Sequence, residues 1–351
     1  MSERIPETPP VIKPVISNGE RPLWSVMIPT YNCICYLKKA LEGVLAQDPG
    51  PEKMQIEVID DCSVDGDVEA LVQEIGKGRV GFFQQPKNRG SLRNFETCLN
   101  RSKGKWIHLL HGDDSVKVGF YQEMESLLSK HPEIGAAFSK YTHIDENGIE
   151  LVPGKDTLLK EPGIVENFLF KIAQFQQLQP PAIVVKRSVY EQLGGFFAVH
   201  YGEDWEMWTR IAAHYPVAYS PKCLALYRRG HATNITSHSL SSGQNIKDIL
   251  KVVDIVQNYL PQNKRSALKG KARKTFSIHF AMASNRIFLF DKETAFLQAK
   301  GALKLNVNLK TLYWIMKLYI MHIKSFIYYK TVKMITQRKP GSRRQPVYKK
   351  W

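Results

Sequence analysis

The sequence predicts an α/β fold with a mostly parallel central sheet flanked by helices, followed by a helical basic C-terminal extension. The first observation is that short apolar, β-prone runs alternate with amphipathic segments up to about residue 114, a pattern typical of parallel sheets covered by helices. The second is that polar side chains recur directly after these runs. The third is a change near residue 232 to long helical patterns rich in lysine.

The predicted elements alternate regularly through the first part of the chain. Strands are predicted at Trp24–Ile28, Gln55–Ile59, Val80–Gln84 and Trp106–Leu110. Helices with one apolar face are predicted at Tyr36–Gln47, Val68–Ile75, Ser91–Leu99 and Trp205–His214. Pro29 directly follows the first run, and a proline cannot donate a hydrogen bond within a central strand, so we expect that strand to end there.

Length and composition suggest a principal domain with an appendage. The chain has 351 residues, more than one typical domain, and 43% of them are hydrophobic, enough for a real core. The five cysteines form no C-x-x-C pair or Cys/His ladder, so we expect neither a zinc site nor a disulfide framework. This cysteine usage indicates a reducing compartment. The predicted regions are a flexible lead-in without a secretion signal (1–22), the principal domain (23–231, with halves of about 23–114 and 115–231) and a helical basic region (232–351).

Polar side chains gather at the ends of all four predicted strands. They are Thr30, Tyr31 and Asn32; Asp60 and Asp61; Asn88, Gly90 and Arg93; and Asp113 and Asp114. The carboxyl ends of parallel strands share one edge of a sheet, where ligands of open α/β folds bind. Adjacent carboxylates suit a hard divalent cation, which takes its remaining ligands from substrate phosphates. Because no glycine-rich phosphate loop is present, we expect a nucleotide whose phosphates are bound through a cation.

Five stretches in this order resemble the family 2 glycosyltransferases, which have a GT-A fold and invert the anomeric centre. They are Ser25–Asn32 (SVMIPTYN), Glu57–Gly66 (EVIDDCSVDG), Pro86–Asn94 (PKNRGSLRN), His108–Asp114 (HLLHGDD) and Gly202–Ala212 (GEDWEMWTRIA). Each stretch alone is a weak signal, but five in register from about Trp24 to His231 are a specific one. The resemblance implies transfer of a sugar from a nucleotide-sugar donor, UDP-linked in our interpretation, to a hydroxyl of a glycan or lipid-linked acceptor.

The resemblance also implies the residues of the donor site. The predicted nucleotide contacts are the loop Pro29, Thr30 and Tyr31; Asp61 at the base, with Asp60 beside it; Asn88 and Arg93; and Asp113 through the diphosphate. A Ser or Asx turn, by itself or together with ligand binding, is the alternative for Asp60, and a solvated surface charge is the alternative for Arg93.

A divalent metal, Mn²⁺ or Mg²⁺, is implied at Asp113 and Asp114, which match the end of the family's acidic motif. The family commonly has an acid two positions before Asp113, where this chain has His111. An imidazole suits Mn²⁺ better than Mg²⁺, and it either ligates the ion or hydrogen-bonds beside it. His231 is a further candidate, as a metal ligand or a phosphate contact, because the family often has a histidine near the diphosphate after the last strand.

Glu203 and Asp204 are the predicted catalytic carboxylates. Asp204 matches the family's catalytic base, which accepts the proton of the acceptor hydroxyl, and Glu203 is a helper or a capping acid. The alternative for the pair is structural, because acids in the first turn of a helix are favoured by the helix dipole.

The basic tail predicts a membrane-surface helix. Residues 301–351 carry twelve Lys and Arg and no acid, so they supply +12 of the formal charge of +16. Within Leu309–Ile335, Lys310, Lys317 and Lys324 recur every seven residues among aromatic and aliphatic side chains, which suits an anionic membrane surface. The alternative is a helix that packs on the catalytic domain with its lysines extended to solvent.

The sequence therefore predicts a metal-dependent glycosyltransferase, peripheral on the cytoplasmic face of a membrane. No nucleic-acid-binding module is recognised, so no nucleic-acid partner is expected. Two alternatives remain: a nucleotidyltransferase that makes a nucleotide sugar, and a non-catalytic nucleotide-binding protein associated with a membrane. The first would carry a glycine-rich loop with Arg and Lys after the first strand, where this chain has Pro29-Thr30-Tyr31-Asn32.

Overall fold

The computed structural model describes residues 3–16, 19–151, 157–229 and 235–337. The chain divides into two compact units, residues 1–275 and 276–351. The division falls inside the helix Gln262–Ile287, whereas the sequence pattern places a domain boundary after residue 231. The first unit therefore includes the helices that directly follow the last strand.

A nine-stranded sheet lies at the centre of the first unit as far as the structure describes it. Its strands are β1 (Trp24–Thr30), β2 (Met54–Asp60), β3 (Gly81–Gln84), β4 (Trp106–Leu109), β5 (Ser115–Val116), β6 (Ala136–Ile144), β7 (Gly163–Ile164), β8 (Ile183–Lys186) and β9 (Val217–Arg228). The order is β3-β2-β1-β4-β8-β6-β9-β5, with β7 on β9. The first four strands are parallel, as predicted. Beyond β4 the sheet is mixed, because β8 is antiparallel to both of its neighbours and β5 and β7 are antiparallel to β9.

Helices flank the sheet and make up most of the described chain after β9. Those that precede β9 are α1 (Ile34–Leu45), α2 (Val68–Gly76), α3 (Ser91–Arg101), α4 (Phe120–Lys130), α5 (Phe168–Ile172), α6 (Arg187–Leu193) and α7 (Glu203–His214). After β9 come α8 (Ile235–Ser242), α9 (Gln244–Val256), α10 (Gln262–Ile287), α11 (Lys292–Leu305) and α12 (Leu309–Gln337). The predicted helices α1, α2, α3 and α7 all form, with ends within a few residues of those expected.

The prediction that the first strand ends before Pro29 is wrong. Strand β1 continues to Thr30, and Pro29 stays in parallel register with Ile59 of β2. The carbonyl of Pro29 accepts a hydrogen bond from the amide of Gly112 at 3.1 Å, so this residue faces the β4 side of the strand. Because β4 has already ended at Leu109, the missing N–H of proline removes no bond from the ladder.

The core lies where β1, β2 and the apolar face of α1 meet. All seven residues of β1 are buried, as expected for a strand covered on both faces. From α1, Leu37, Leu41 and Val44 are fully buried at helical spacing, which confirms the periodicity read from the sequence. Each such side chain contributes about 1.5–3 kcal/mol through burial. This packing fixes the carboxyl end of β1, where the site begins.

The N-terminal segment (residues 3–16) lies against the first unit, unlike the flexible lead-in that its composition predicts. Ile12 is 1% exposed. The carbonyls of Pro6 and Pro10 accept hydrogen bonds from the amides of Ala198 and Gly195, each at 2.8 Å. Prolines favour an extended conformation whose carbonyls remain free to accept such bonds, so the segment is held without forming a helix or strand.

The described part of the second unit, residues 276–337, is mainly helical. The hydroxyl of Ser277 on α10 lies 2.7 Å from that of Thr311 on α12, and Ile315 and Leu318 continue the buried stripe of α12. Among the described residues, no helix is both long enough and apolar enough to cross a membrane.

Candidate active site

The acidic motif directly follows β4 and is held against the end of β1. A Cβ on Gly112 would lie 2.9 Å from the hydroxyl of Thr30 and 3.0 Å from the Cys33 sulfur, so only glycine fits this position without a shift. The Gly112 amide donates to the carbonyl of Pro29. These contacts bring His111, Asp113 and Asp114 to the edge of the sheet predicted for ligand binding.

Asp114 is buried with half of its carboxylate unpaired. Its Oδ1 accepts a hydrogen bond from the Arg228 amide at 2.8 Å, whereas its buried Oδ2 has no hydrogen-bond partner among the described residues. Burial, and then the neighbouring charge of Asp113, raise the pKa of Asp114 well above its usual value. A buried carboxylate oxygen without a partner is costly, and a bound cation would relieve that cost.

His111, Asp113 and Asp114 each offer one ligand atom, and these atoms lie within 4.8 Å of one another. The His111 ring stacks on Phe95 with centroids 5.1 Å apart. Burial lowers the pKa of His111, which favours the neutral imidazole that binds a metal. One nitrogen and two carboxylate ligands fit a divalent ion such as Mn²⁺. The fourth predicted candidate, His231, lies outside the described residues.

The other histidine of the same stretch has a structural place. His108 lies within β4, and its ring nitrogens are 3.0 Å from the Tyr121 hydroxyl and 3.1 Å from the Pro181 carbonyl. Burial lowers the pKa of His108 to about 3, so it stays neutral. Three positions in sequence thus separate a packed histidine from one at the candidate metal site.

Asp60 and Asp61 hold the loops at the end of β2. The buried Asp60 carboxylate accepts from the amide and hydroxyl of Ser63 and from Gln84, so it forms the turn that was the alternative for this residue. Asp61 accepts from the amides of Arg89 and Gly90 at 2.7 and 2.8 Å. Burial raises the pKa of Asp61, and these two hydrogen bonds oppose the shift.

The remaining predicted donor residues differ in exposure. Pro29 and Thr30 are buried, whereas Tyr31 is 49% exposed at the mouth of the site. The Asn88 amide donates to the Asp61 carbonyl at 3.2 Å. Arg93 donates to Glu96 at 2.7 Å and to the carbonyl of Glu3 at 2.8 Å. The N-terminal segment therefore reaches the predicted nucleotide contacts.

The predicted catalytic pair begins α7. Asp204 Oδ1 accepts from the Trp205 amide at 2.7 Å, and its Oδ2 accepts from Gln176 Nε2 at 2.5 Å. Burial raises the pKa of Asp204 to about 6, although both hydrogen bonds oppose the shift. Glu203 is buried, and its pKa is raised by burial and by the charge of Asp204. A carboxylate with a pKa near 6 is well suited to accept a proton near neutral pH.

One candidate metal ligand and the predicted catalytic pair line the same small cavity. Its volume is about 10 Å³, room for about one water molecule, and its lining includes His111, Glu203 and Asp204 together with Phe95 and Trp208. The structure therefore brings the candidate base close to His111 of the candidate metal site, although Asp204 lies 93 positions after His111 in sequence.

Three residues outside the predicted set of site residues support these clusters. Arg228 donates from Nε to the Asp113 carbonyl at 2.8 Å, and its guanidinium lies 4.3 Å from the Tyr36 ring centroid. Asp248 on α9 accepts from the Tyr201 amide at 3.0 Å, which fixes the loop before Glu203. Gln176 lies in the stretch that resembles the family least. Arg228 lies three positions before the predicted His231, where the family often carries an arginine, whereas the contacts of Asp248 and Gln176 follow no spacing rule that a local signal could have revealed.

Comparison with known proteins identifies the family. The sequence model described as "Glycosyl transferase family 2" matches residues 25–193. An uncharacterized glycosyltransferase of Mycoplasma genitalium is 30% identical over 144 residues, which cover 40% of this chain and 47% of that relative. The chain thus spans about half the length of that curated relative.

Two solved structures share the fold. The structure of S. aureus TarS 1–349 in complex with UDP-GlcNAc has a TM-score of 0.57 and 18% identity, covering 84% of this chain and 79% of that one. The mannosyltransferase PcManGT from Pyrobaculum calidifontis, in complex with GDP-Man and Mn²⁺, has a TM-score of 0.53 and 16% identity, covering 93% of this chain and 86% of that one. The match over residues 25–193, just under half of the chain, places that part in glycosyltransferase family 2, and the fold is of the GT-A type. It is a transferase enzyme.

Proposed function

We propose that this protein is an inverting glycosyltransferase that moves a sugar from a UDP-sugar to a hydroxyl of a glycan or lipid-linked acceptor, with metal assistance. The observation that carries the proposal is the cavity that His111, beside the acidic motif, lines together with Glu203 and Asp204. Sugar transfer needs a stabilised diphosphate leaving group and a deprotonated acceptor hydroxyl. The two clusters supply one function each.

The metal site is proposed at His111, Asp113 and Asp114. A bound divalent cation would act there as a Lewis acid toward the donor's diphosphate. The unpaired Asp114 Oδ2 supports this assignment, because it is a buried ligand atom without another use in the described chain. The imidazole in the donor set favours Mn²⁺ over Mg²⁺. We keep His231 as a further candidate on sequence grounds alone.

Asp204 is proposed as the general base. Its ionised form is held by the Trp205 amide and Gln176, so above a pH of about 6 the carboxylate can accept the acceptor's proton. Direct displacement by that hydroxyl inverts the anomeric centre. Glu203 lies behind Asp204, and its buried side chain fits a helper role better than substrate contact.

The donor is proposed to lie across the ends of β2, β1 and β4, with its base at Asp61 and its diphosphate at Asp113. Pro29, Thr30, Asp60, Asn88 and Arg93 would shape this pocket, and Tyr31 would contact the nucleoside from solvent. The TarS complex with UDP-GlcNAc, a structural neighbour, supports a UDP-linked donor. The GDP-Man complex of PcManGT makes GDP the alternative to test.

Calorimetric titration of UDP into wild type and into Asp113→Ala tests the proposal. Each protein is titrated in the presence of Mn²⁺, of Mg²⁺ and of a chelator. We expect metal-dependent binding to wild type that the substitution abolishes. Asp254→Ala, which removes an exposed acid of α9, is the matched control and should bind as wild type does. Titrations with GDP and dTDP decide the base. Wild type that binds none of these nucleotides would contradict the proposal and favour a non-catalytic role.

The helix α12 is proposed to lie on the cytoplasmic face of an anionic membrane, the surface that holds lipid-linked acceptors. Lys310, Lys317 and Lys324 are exposed, and beside them lies an exposed apolar stripe. It includes Leu312, Met316, Tyr319, Ile320 and Ile323. The two stripes together match an interfacial helix.

Flotation with phosphatidylglycerol vesicles tests the membrane proposal. Each lysine near an anionic surface contributes about 1 kcal/mol, so the double change Lys317→Glu and Lys324→Glu should weaken binding at least about tenfold. Lys300→Glu, which reverses an exposed charge on α11, is the matched control. Equal flotation of the double variant and wild type would show that α12 is not the contact.

A further inference from the structure

The N-terminal segment crosses from the donor side of the site to the loop before the candidate base. At one end, the Glu3 carbonyl accepts from Arg93 Nε at 2.8 Å. In the middle, Pro6 and Pro10 accept from Ala198 and Gly195. At the other end, the Lys13 carbonyl accepts from the Arg187 guanidinium at 3.0 Å. The segment is thus attached to both predicted halves of the principal domain, residues 23–114 and 115–231.

The chain is shaped to receive this segment. A Cβ on Gly194 would lie 2.7 Å from Cβ of Pro9, and one on Gly195 would lie 3.0 Å from Cγ of Pro10. Both glycines therefore permit a close approach that other residues would block. Ile12 is buried to 1% exposure, so the contact has an apolar anchor as well as hydrogen bonds. These features indicate a fitted element of the fold.

Arg4 is the residue that this fitted segment brings to the donor site. Its Nη2 donates to Asn88 Oδ1, and a Cβ on Gly90 would lie 2.9 Å from its Nε. Burial raises the pKa of Asp61, the proposed base contact, and the charge of Arg4 is among the interactions that oppose this rise. The Asn88 side-chain amide and the Gly90 backbone amide both donate hydrogen bonds to Asp61. Arg4 thus lies on the nucleotide-binding edge without belonging to any of the family's motifs.

We propose that Arg4 is a donor-specificity residue whose guanidinium binds a carbonyl oxygen of the nucleobase. This rests on the proposed function. The side chain is exposed, and the described contacts use one of its five N–H donors, which leaves others for a ligand. A guanidinium offers paired N–H donors in a fixed plane, which suits the keto oxygens of uracil or guanine. Adenine has no keto oxygen to accept them.

The position of Arg4 favours the base over the diphosphate. Asp61 follows β2, and the loop of Asn88 and Gly90 follows β3, whereas the acidic motif follows β4. In the order β3-β2-β1-β4, β2 and β4 are two strand spacings apart, roughly 10 Å. A nucleotide whose phosphates are at Asp113 would therefore reach Arg4 with its base.

Titrations of UDP, UMP and ADP into full-length Arg4→Gln, Arg4→Lys and wild type test this proposal. We expect Arg4→Gln to lower the affinities for UDP and for UMP by the same factor, about tenfold to a hundredfold, because one charge-assisted hydrogen bond to the base is lost. ADP should bind wild type more weakly than UDP does, and Arg4→Gln should narrow that difference. Arg4→Lys should also lose affinity, because it keeps the charge but lacks the planar fork.

Lys13→Gln is the matched control, because it removes an exposed charge from the same segment. It should bind UDP as wild type does, and thermal unfolding should match among the variants. Unchanged or tighter UDP binding by Arg4→Gln would overturn the proposal, the latter indicating a segment that obstructs the site. A loss for UDP but not UMP would place Arg4 at the phosphates and overturn the base assignment. If wild type bound no nucleotide, the proposed function would fail together with this inference.

Discussion

The chain has two pairs of consecutive acids, Asp113-Asp114 after β4 and Glu203-Asp204 at the start of α7. The two pairs differ in the groups that surround them. In the first pair, Asp114 keeps a buried oxygen that has no hydrogen-bond partner within the described part of the chain. In the second, both oxygens of Asp204 accept hydrogen bonds. The pair with an open ligand position suits a cation, and the pair with a hydrogen-bonded, partly accessible carboxylate suits a proton. Partners, not spacing, thus distinguish the two pairs.

The largest expected effect comes from removing the base. Asp204→Asn keeps the shape of the side chain but cannot accept a proton, so kcat should fall about 10²–10⁴-fold. Because Asp204 belongs to the second pair only, the Kd of UDP with Mn²⁺ should not change. Steady-state transfer to an acceptor and calorimetric titration of UDP measure the two quantities. A variant that lost UDP binding would show that the pairs do not divide the work in this way.

A smaller effect, on metal binding instead of on kcat, is expected from a change in the first pair. Asp114→Asn keeps Oδ1 for the Arg228 amide but replaces the unpaired oxygen with an amide nitrogen, which does not ligate the ion. The affinity for Mn²⁺ should fall at least about tenfold. Mn²⁺ should raise the melting temperature of wild type through binding to the folded state, and this rise should shrink in the variant. An equal rise in both proteins would remove Asp114 from the metal site.

The smallest effect concerns the pH dependence of the second pair. Gln176 stabilises ionised Asp204 and so lowers its pKa. Gln176→Leu removes this hydrogen bond, so the pKa should rise above about 6, and the acid limb of the profile of kcat/KM should move to higher pH. The expected shift is about one unit, since one unit corresponds to about 1.4 kcal/mol. Gln177→Leu, whose side chain donates to the Phe175 carbonyl instead, should leave the limb in place.

The nucleotide-binding half was more predictable than the acceptor half for a physical reason. From β1 to β4, each strand pairs in parallel with a neighbour, and β1, β2 and β3 are each followed by a helix, so local periodicity and global topology agree. Pro29 is the exception there, because its tolerance depends on where β4 ends. Beyond Ser115, β8 pairs antiparallel between β4 and β6. That pairing joins residues that lie far apart in sequence, and local patterns carry no record of it.

The sequence by itself determined the alternation of strands and helices, the family, and the positions of Asp61, Asp113 and Asp204 at the ends or starts of elements. These follow from side-chain periodicity and from short motifs, which are local properties. Tertiary structure decided which histidine faces the site, which carboxylate oxygen stays unpaired, and that Arg4 lies beside Asp61. Those features depend on burial and on contacts between distant segments, because desolvation and hydrogen-bond partners are set only when the chain has packed.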